Sequence, residues 1–247
     1  MEKNHYGSLC TEMYELLHQE APRDELEFYL SYAKRGMSIL EPLCGSGRFL
    51  VPFLERGLTI QGVDSSGDML GKLLEKAPGA AVIQCGIGEY QTAERFDYIL
   101  IPSGSVSLFT DMRECREILS KLRGLLNRNG IFVFAVDTVA SRCPDRAEYD
   151  TDVAVDTGEG CRLVIRSKKY YEEATHTQFC PSLYELYRGG VLLRQERMDF
   201  QTHLYELGEM EAILREIGFT RVKVYASFAK EPAVTNQSEA FLYECAV

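Results

Sequence analysis

The sequence predicts a doubly wound α/β fold: a mostly parallel seven-stranded sheet with an N-terminal helical cap and an antiparallel β insertion. Three observations predict it. Short apolar strand-like segments alternate with helical periodicities from residue 38 to 136. The first strand runs straight into a Gly-x-Gly turn, Gly45-Ser46-Gly47. Over residues 150–205 the rhythm changes to two-residue alternation around Gly-rich turns before the helical pattern returns.

In chain order, residues 8–19 place Leu9, Met13, Leu16 and Leu17 at helical spacing, and a second helix is expected through Leu26, Tyr29, Leu30 and Ala33. The core strands are expected at 38–41, 59–64, 80–85, 96–101 and 131–136. A helix after Thr110-Asp111, with Cys115, Ile118, Leu119, Leu122, Leu125 and Leu126 on one face, is expected to end at an Asn129-Gly130 cap. The insertion turns are expected at Gly158-Glu159-Gly160 and Gly189-Gly190. Met210, Ile213, Leu214 and Ile217 form a last helix, and segments 221–228 and 239–246 pair as an antiparallel hairpin at the sheet edge. The expected organisation is a core of residues 1–149 and 204–247, with 1–36 as the cap, and an insertion of residues 150–203.

Bulk composition narrows the function. The 247 residues are 45% hydrophobic and 26% charged, enough for one domain with an insertion. A net charge of −10 disfavours a nucleic-acid partner. Arg162, Arg166, Lys168 and Lys169 are the one basic candidate patch, and strand alternation splits them between two faces. Eight scattered cysteines have neither zinc-site nor short disulfide spacing, so no metal is expected and reduced cytoplasmic thiols are. No signal peptide is evident, and no apolar run approaches the ~20 residues of a membrane span.

The cradle carries the chemistry. Glycine admits positive φ and lets a ligand approach the backbone, and a helix start behind the turn offers free N–H groups. Asp64 ends the second strand 19 positions after Gly45, placed to accept hydrogen bonds from ribose hydroxyls or to cap the next helix. A nicotinamide dinucleotide site would want a third small residue, where Leu50 stands. Glu41, four residues before Gly45, would repel a pyrophosphate but suits a ligand with an ammonium and a sulfonium. The charge logic favours S-adenosylmethionine. A nicotinamide-dependent oxidoreductase and a non-catalytic cofactor-binding protein stand as alternatives.

The strings Glu41-Pro42-Leu43-Cys44-Gly45-Ser46-Gly47-Arg48 and Gly62-Val63-Asp64-Ser65-Ser66-Gly67-Asp68-Met69-Leu70 resemble motifs of the class I S-adenosylmethionine-dependent methyltransferases. So do Phe96-Asp97 through Ser105, and Leu125 through Gly130. The resemblance implies a Rossmann-like fold and these roles. Glu41 and the turn Leu43, Cys44, Gly45 and Gly47 would hold the methionine portion, and Arg48 would pair with its carboxylate. Asp64, with Ser65, would take the ribose; Met69, Gly86 and Ile87 would surround the adenine, with Glu89 a substitute for the acid that many relatives use there. Ile101, Pro102 and Ser103 would close the site. A β insertion after strand five resembles small-molecule N-methyltransferases, where it roofs the substrate pocket, so a small amine or hydroxyl acceptor is expected. Tyr14 and His203 are the candidates for a base, ahead of His176, Tyr170 and Tyr184, and none is assigned.

Overall fold

The computed structural model describes residues 4, 6–158 and 160–247; of the expected insertion turns, Glu159 lies outside the described residues. Helices α1 (Ser8–Leu17) and α2 (Arg23–Leu30) precede β1 (Ser38–Pro42), α3 (Leu50–Glu55), β2 (Thr59–Asp64), α4 (Gly67–Lys76), β3 (Ala81–Gln84) and β4 (Phe96–Ile101). After a 3-10 turn at Val106–Leu108 come α5 (Met112–Leu125) and β5 (Leu126–Asp137). The insertion holds β6 (Arg146–Gly158), β7 (Cys161–Glu172), β8 (Thr177–Arg188) and β9 (Val191–His203). Helix α6 (Glu209–Glu216), β10 (Arg221–Tyr225) and β11 (Ala240–Ala246) complete the chain.

The main sheet has seven strands in the order β10-β11-β5-β4-β1-β2-β3. Strands β1 to β5 pair in parallel, and β11 runs antiparallel to both β5 and β10. The order reverses between β1 and β4, which is the switch point where doubly wound sheets open a crevice at their carboxyl ends. Strand β5 is buried on both faces, as its apolar run requires. Phe132 and Phe134 stack at 4.6 Å, and Tyr243 of β11 stacks on Phe134 at 5.1 Å. All three are fully buried, and each such ring contributes about 1.5–3 kcal/mol of burial.

Three boundaries differ from expectation. Helix α5 ends at Leu125, not at Asn129-Gly130, because Leu126 turns extended (ψ 142°) and pairs with Phe96. Asn127 then donates its side-chain amide to Asp97 at 2.7 Å, a tertiary bond that overrides the local capping signal. Strand β6 begins at Arg146, four residues ahead of the expected insertion boundary. The glycine turn does not open directly into a helix: Arg48 and Phe49 lie before α3, so Arg48 is not a helix residue.

The insertion is a four-stranded antiparallel sheet, β6-β7-β8-β9. Leu9 and Met13 of α1 pack on Leu163 of β7, flanked by Val153, Ile165, Tyr184 and Leu186. The basic side chains of this sheet are engaged locally. Arg162 faces Asp156 at 4.0 Å, Lys169 pairs with Asp152 at 3.1 Å, and Lys168 lies over the Tyr149 ring. Among the described residues, no helix is long and apolar enough to cross a membrane.

Helix α1 has glycine at its N-cap and therefore no side chain of its own to bind its free N–H groups. Glu196 of β9 supplies the missing acceptor. Its carboxylate accepts from the Leu9 N–H at 2.8 Å and from the Ser8 hydroxyl at 2.9 Å. A carboxylate at a helix N-terminus also meets the positive end of the helix dipole. Glu196→Ala should cost about 1–2 kcal/mol and accelerate amide exchange at Leu9–Thr11 above all. Unchanged protection there would show that the cap does not depend on Glu196.

Candidate active site

A cavity of about 640 Å³ opens at the carboxyl ends of β1 and β2. Leu43, Gly45, Asp64, Ser65, Met69, Gly86 and Ile87 line it, and these are seven of the residues the sequence singled out. Glu89 lines it too, beside Gly86. From above come Asn4, Tyr6 and Tyr14, and from the far side Ser105, Leu108, Phe109, Glu114 and Ile118.

The glycine turn explains itself sterically. Gly45 has φ +51°, and a Cβ there would meet nothing within 4 Å, so its face of the cavity is open to a ligand. Gly47 serves packing instead. A Cβ would come within 2.7 Å of Leu73, so its smallness lets the turn sit on α4 rather than touch the cavity. Cys44 points behind the turn, its sulfur against Gly62 of β2, and is buried. Sequence spacing could not separate these roles, because all three residues sit within one turn.

Asp64 braces the cradle. One carboxylate oxygen accepts from the Gly45 N–H at 2.8 Å, and the other accepts from the Ser66 N–H at 2.8 Å. Ser66 rather than Asp64 caps α4, its hydroxyl accepting from Met69 N, and each Asp64 oxygen keeps a lone pair that a ligand could use. Burial raises the Asp64 pKa, and the backbone donors from Ser66, Gly45 and Ser65 oppose that rise. Glu41 receives no such help. It is 2% exposed, its Oε2 has no hydrogen-bond partner, and burial, with Asp64 adding, pushes its pKa well above the usual carboxylate range.

An orphaned buried carboxylate beneath an open glycine turn fits the ammonium and backbone-contacting methionine portion of S-adenosylmethionine. It does not fit a pyrophosphate.

The roof comes from the N-terminal segment. Asn4 donates to the carbonyls of Leu108 and Gln201 and accepts from the Gln201 N–H, tying the chain start to β9 and the 3-10 turn. The Ser66 hydroxyl donates to the Tyr6 carbonyl at 2.8 Å while capping α4 through Met69 N. Burial raises the Tyr14 pKa, and neighbouring Arg48 opposes the rise. Arg48 donates Nε to the Glu20 carbonyl at 3.0 Å and does not line the cavity.

Other expected residues stand outside it. Ile101 and Pro102 are buried at the end of β4, and the Ser103 N–H donates to Glu25 of α2 at 2.8 Å. His203 is 4% exposed and does not line the cavity: Nδ1 faces the Thr175 carbonyl at 2.9 Å and Nε2 faces Glu209 at 2.7 Å. Both partners are acceptors, so the ring is fully engaged in joining the insertion to α6. His176 adds to this grouping, with ligand atoms of all three residues within 4.8 Å of one another, a proximity that chain spacing does not announce. Asn4, Ser105, Leu108, Phe109, Glu114 and Ile118 escaped the sequence reading. They belong to loop and helix-face positions whose signals are those of ordinary turns and cores.

Residues 39–130 match the methyltransferase domain family. The match covers that segment, and the fold around it is the Rossmann-like fold of the S-adenosylmethionine-dependent methyltransferases. A protein of Geobacillus sp. (strain WCH70), a methyltransferase by name, is 25% identical over 93% of this chain and 95% of its own length. The CcbJ methyltransferase from Streptomyces caelestis superposes with a TM-score of 0.77 at 18% identity, covering 100% of this chain and 99% of its own. The sugar N-methyltransferase KedS8 from Streptoalloteichus sp ATCC 53650 gives 0.74 at 18% identity, with 100% and 97% covered. The unpartnered Glu41 carboxylate and the open turn at Gly45 favour S-adenosylmethionine over a nicotinamide dinucleotide.

The Glu41 shift makes a signed prediction. A raised pKa in the folded chain means that stability is lost as pH rises from the unfolded value near ~4.3 toward the folded one. Glu41→Gln should therefore raise the melting temperature of the cofactor-free enzyme at pH 8, with the gain fading toward pH 4. It should also weaken S-adenosylhomocysteine binding about 10- to 100-fold, the loss of a charged hydrogen bond. Scanning fluorimetry and isothermal titration test the two halves, and a variant that melts lower at pH 8 and binds as wild type would contradict both.

Proposed function

We propose that this methyltransferase acts on a small amine acceptor. The observation that carries the reading is the charge of the cavity: Asp64, Glu89 and Glu114 line it, and no Lys, Arg or His does among the described residues. An acidic, partly apolar space favours a molecule that arrives as an ammonium and disfavours a carboxylate or phosphate acceptor. The structural likeness to a sugar N-methyltransferase points the same way.

Glu41 would hold the cofactor ammonium, the open face of Gly45 would let its methionine portion lie close, and Arg48 would answer its carboxylate. Asp64 and Ser65 take the ribose hydroxyls, and Met69, Gly86 and Ile87 enclose the adenine with Glu89 at its edge. When bound, the cofactor supplies a methyl group on sulfonium sulfur; the N–C bond forms as the C–S bond breaks, and the pair stays on sulfur. The chain contributes chiefly position, holding the reacting atoms in line near ~3–3.5 Å. Tyr6 and Tyr14 close the space from above, and the insertion roofs the acceptor side.

Two measurements test the reading. Asp64→Ala should weaken S-adenosylhomocysteine binding by about tenfold or more, read by isothermal titration. A radiolabelled methyl assay over primary amines, alcohols and carboxylates should label amines alone. Transfer confined to alcohols or carboxylates would overturn the amine assignment.

A further inference from the structure

The strand order fixes which way the methyl group leaves. On the reading above, the residues assigned to adenine, ribose and methionine stand at or just after the ends of β3, β2 and β1, neighbours in that order in the sheet. The next strand ends, continuing the same line, are those of β4 and then β5. Two strand spacings separate β1 from β5, about 10 Å, the reach of a methionine chain plus a small acceptor. Asp137 is the last residue of β5.

Its surroundings are unusual for a carboxylate. Asp137 is half-buried, and among the described residues no donor reaches its side chain. Its backbone is fully committed: the N–H donates to Ser107 Oγ at 2.8 Å, and the carbonyl accepts from Tyr205 N at 2.9 Å. The side chain is thereby fixed in direction while left without a partner. It lies against Gly104, where an added Cβ would fall 2.4 Å from Oδ1, so the loop after β4 is glycine where the carboxylate needs room. Tyr6, a cavity-lining residue, lies near enough to Asp64 and Asp137 for both to add to the rise in its pKa that burial causes. Ser105 bridges to Val136 beside it and also lines the cavity.

We propose that Asp137, which stands behind the lining residues Ser105 and Tyr6 rather than in the lining itself, binds the acceptor's ammonium at that edge of the cavity and takes one proton from it. Resting on the amine reading above, this makes Asp137 the base that sequence inspection did not assign. The balance is simple. One N–H bond of the acceptor breaks, an O–H bond forms on Asp137, and the freed nitrogen lone pair becomes the nucleophile. The proton passes to water after turnover.

Burial pushes the Asp137 pKa up to about 7, which brings the carboxylate toward the basicity that proton transfer wants at neutral pH. The titratable side chain near it is Tyr6 from the N-terminal segment, a phenol held up by burial, while Tyr205 offers only its backbone N–H and turns its phenol to Cys115. Ser105 and Ser107 face it from the loop after β4, and Ala240 pairs with it from β11, none of them titrating in this range.

The test compares wild type with Asp137→Asn on a panel of a hexosamine, an alkylamine and an amino acid, with S-adenosylhomocysteine titration in parallel. Asp137→Asn should keep cofactor affinity, so the fold and cradle stand, and should lower kcat/KM for the amine by on the order of 10²-fold. The wild-type pH profile of kcat/KM should bend near 7, and the variant's bend should move to the acceptor's own pKa. Wild-type rates and an unmoved bend in Asp137→Asn would overturn this proposal alone. A wild type that binds cofactor and methylates no amine would overturn the amine reading and the proposal with it.

Discussion

Negative charge at the carboxyl ends of β1 and β2, with no cation lining the cavity among the described residues, is the constraint around which the site is built. Glu41 is sealed behind the glycine turn and holds an unpaired oxygen. Asp64 sits close enough to raise its pKa further. A protein that gains only about 5–15 kcal/mol on folding does not retain an uncompensated buried carboxylate without a use for it. Here the use is a ligand that brings its own positive charge. The turn, the Gly45–Asp64 bond and the packing of Gly47 on α4 all hold that charge where a cofactor can meet it.

The roof follows from the same logic of unsatisfied groups. Helix α1 cannot cap itself, and Glu196 of the insertion caps it. Asn4 ties the chain start to β9 and to the turn after β4. Ser66 fastens Tyr6 from below while capping the helix that follows Asp64. The N-terminal cap, the insertion and the cofactor cradle therefore share hydrogen bonds.

Much of this was legible in the sequence because the signals were local. The strand–turn spacing of Glu41, Gly45 and Asp64, the helical stripes and the two-residue alternation of the insertion each depend on neighbours along the chain. What escaped depends on distant partners. The Asn129-Gly130 cap failed because Asn127 found Asp97, 30 residues away. His203 drew notice as a possible base by its chemistry, yet Glu209 and the Thr175 carbonyl engage both its nitrogens. Ser103 reads as a loop residue closing the site, but Glu25 from the helical cap takes its N–H. No pattern within a few residues reports such pairings.

The carboxylates around the cavity sort by what the backbone gives them. Asp64 receives main-chain donors from Gly45, Ser65 and Ser66, so its charge is fixed and its geometry rigid. Among the described residues Glu41 and Asp137 receive none, and burial leads the rise in both their pKa values. A carboxylate satisfied by the protein has a structural role whatever else it touches. One that is directed, enclosed and left without a donor is completed by a ligand. The two unsatisfied carboxylates stand at the ends of β1 and β5, on either side of β4. That separation matches a reaction in which one cationic group is anchored and another is brought to the methyl carbon. The reversal of strand order between β1 and β4 opens a crevice between those two ends.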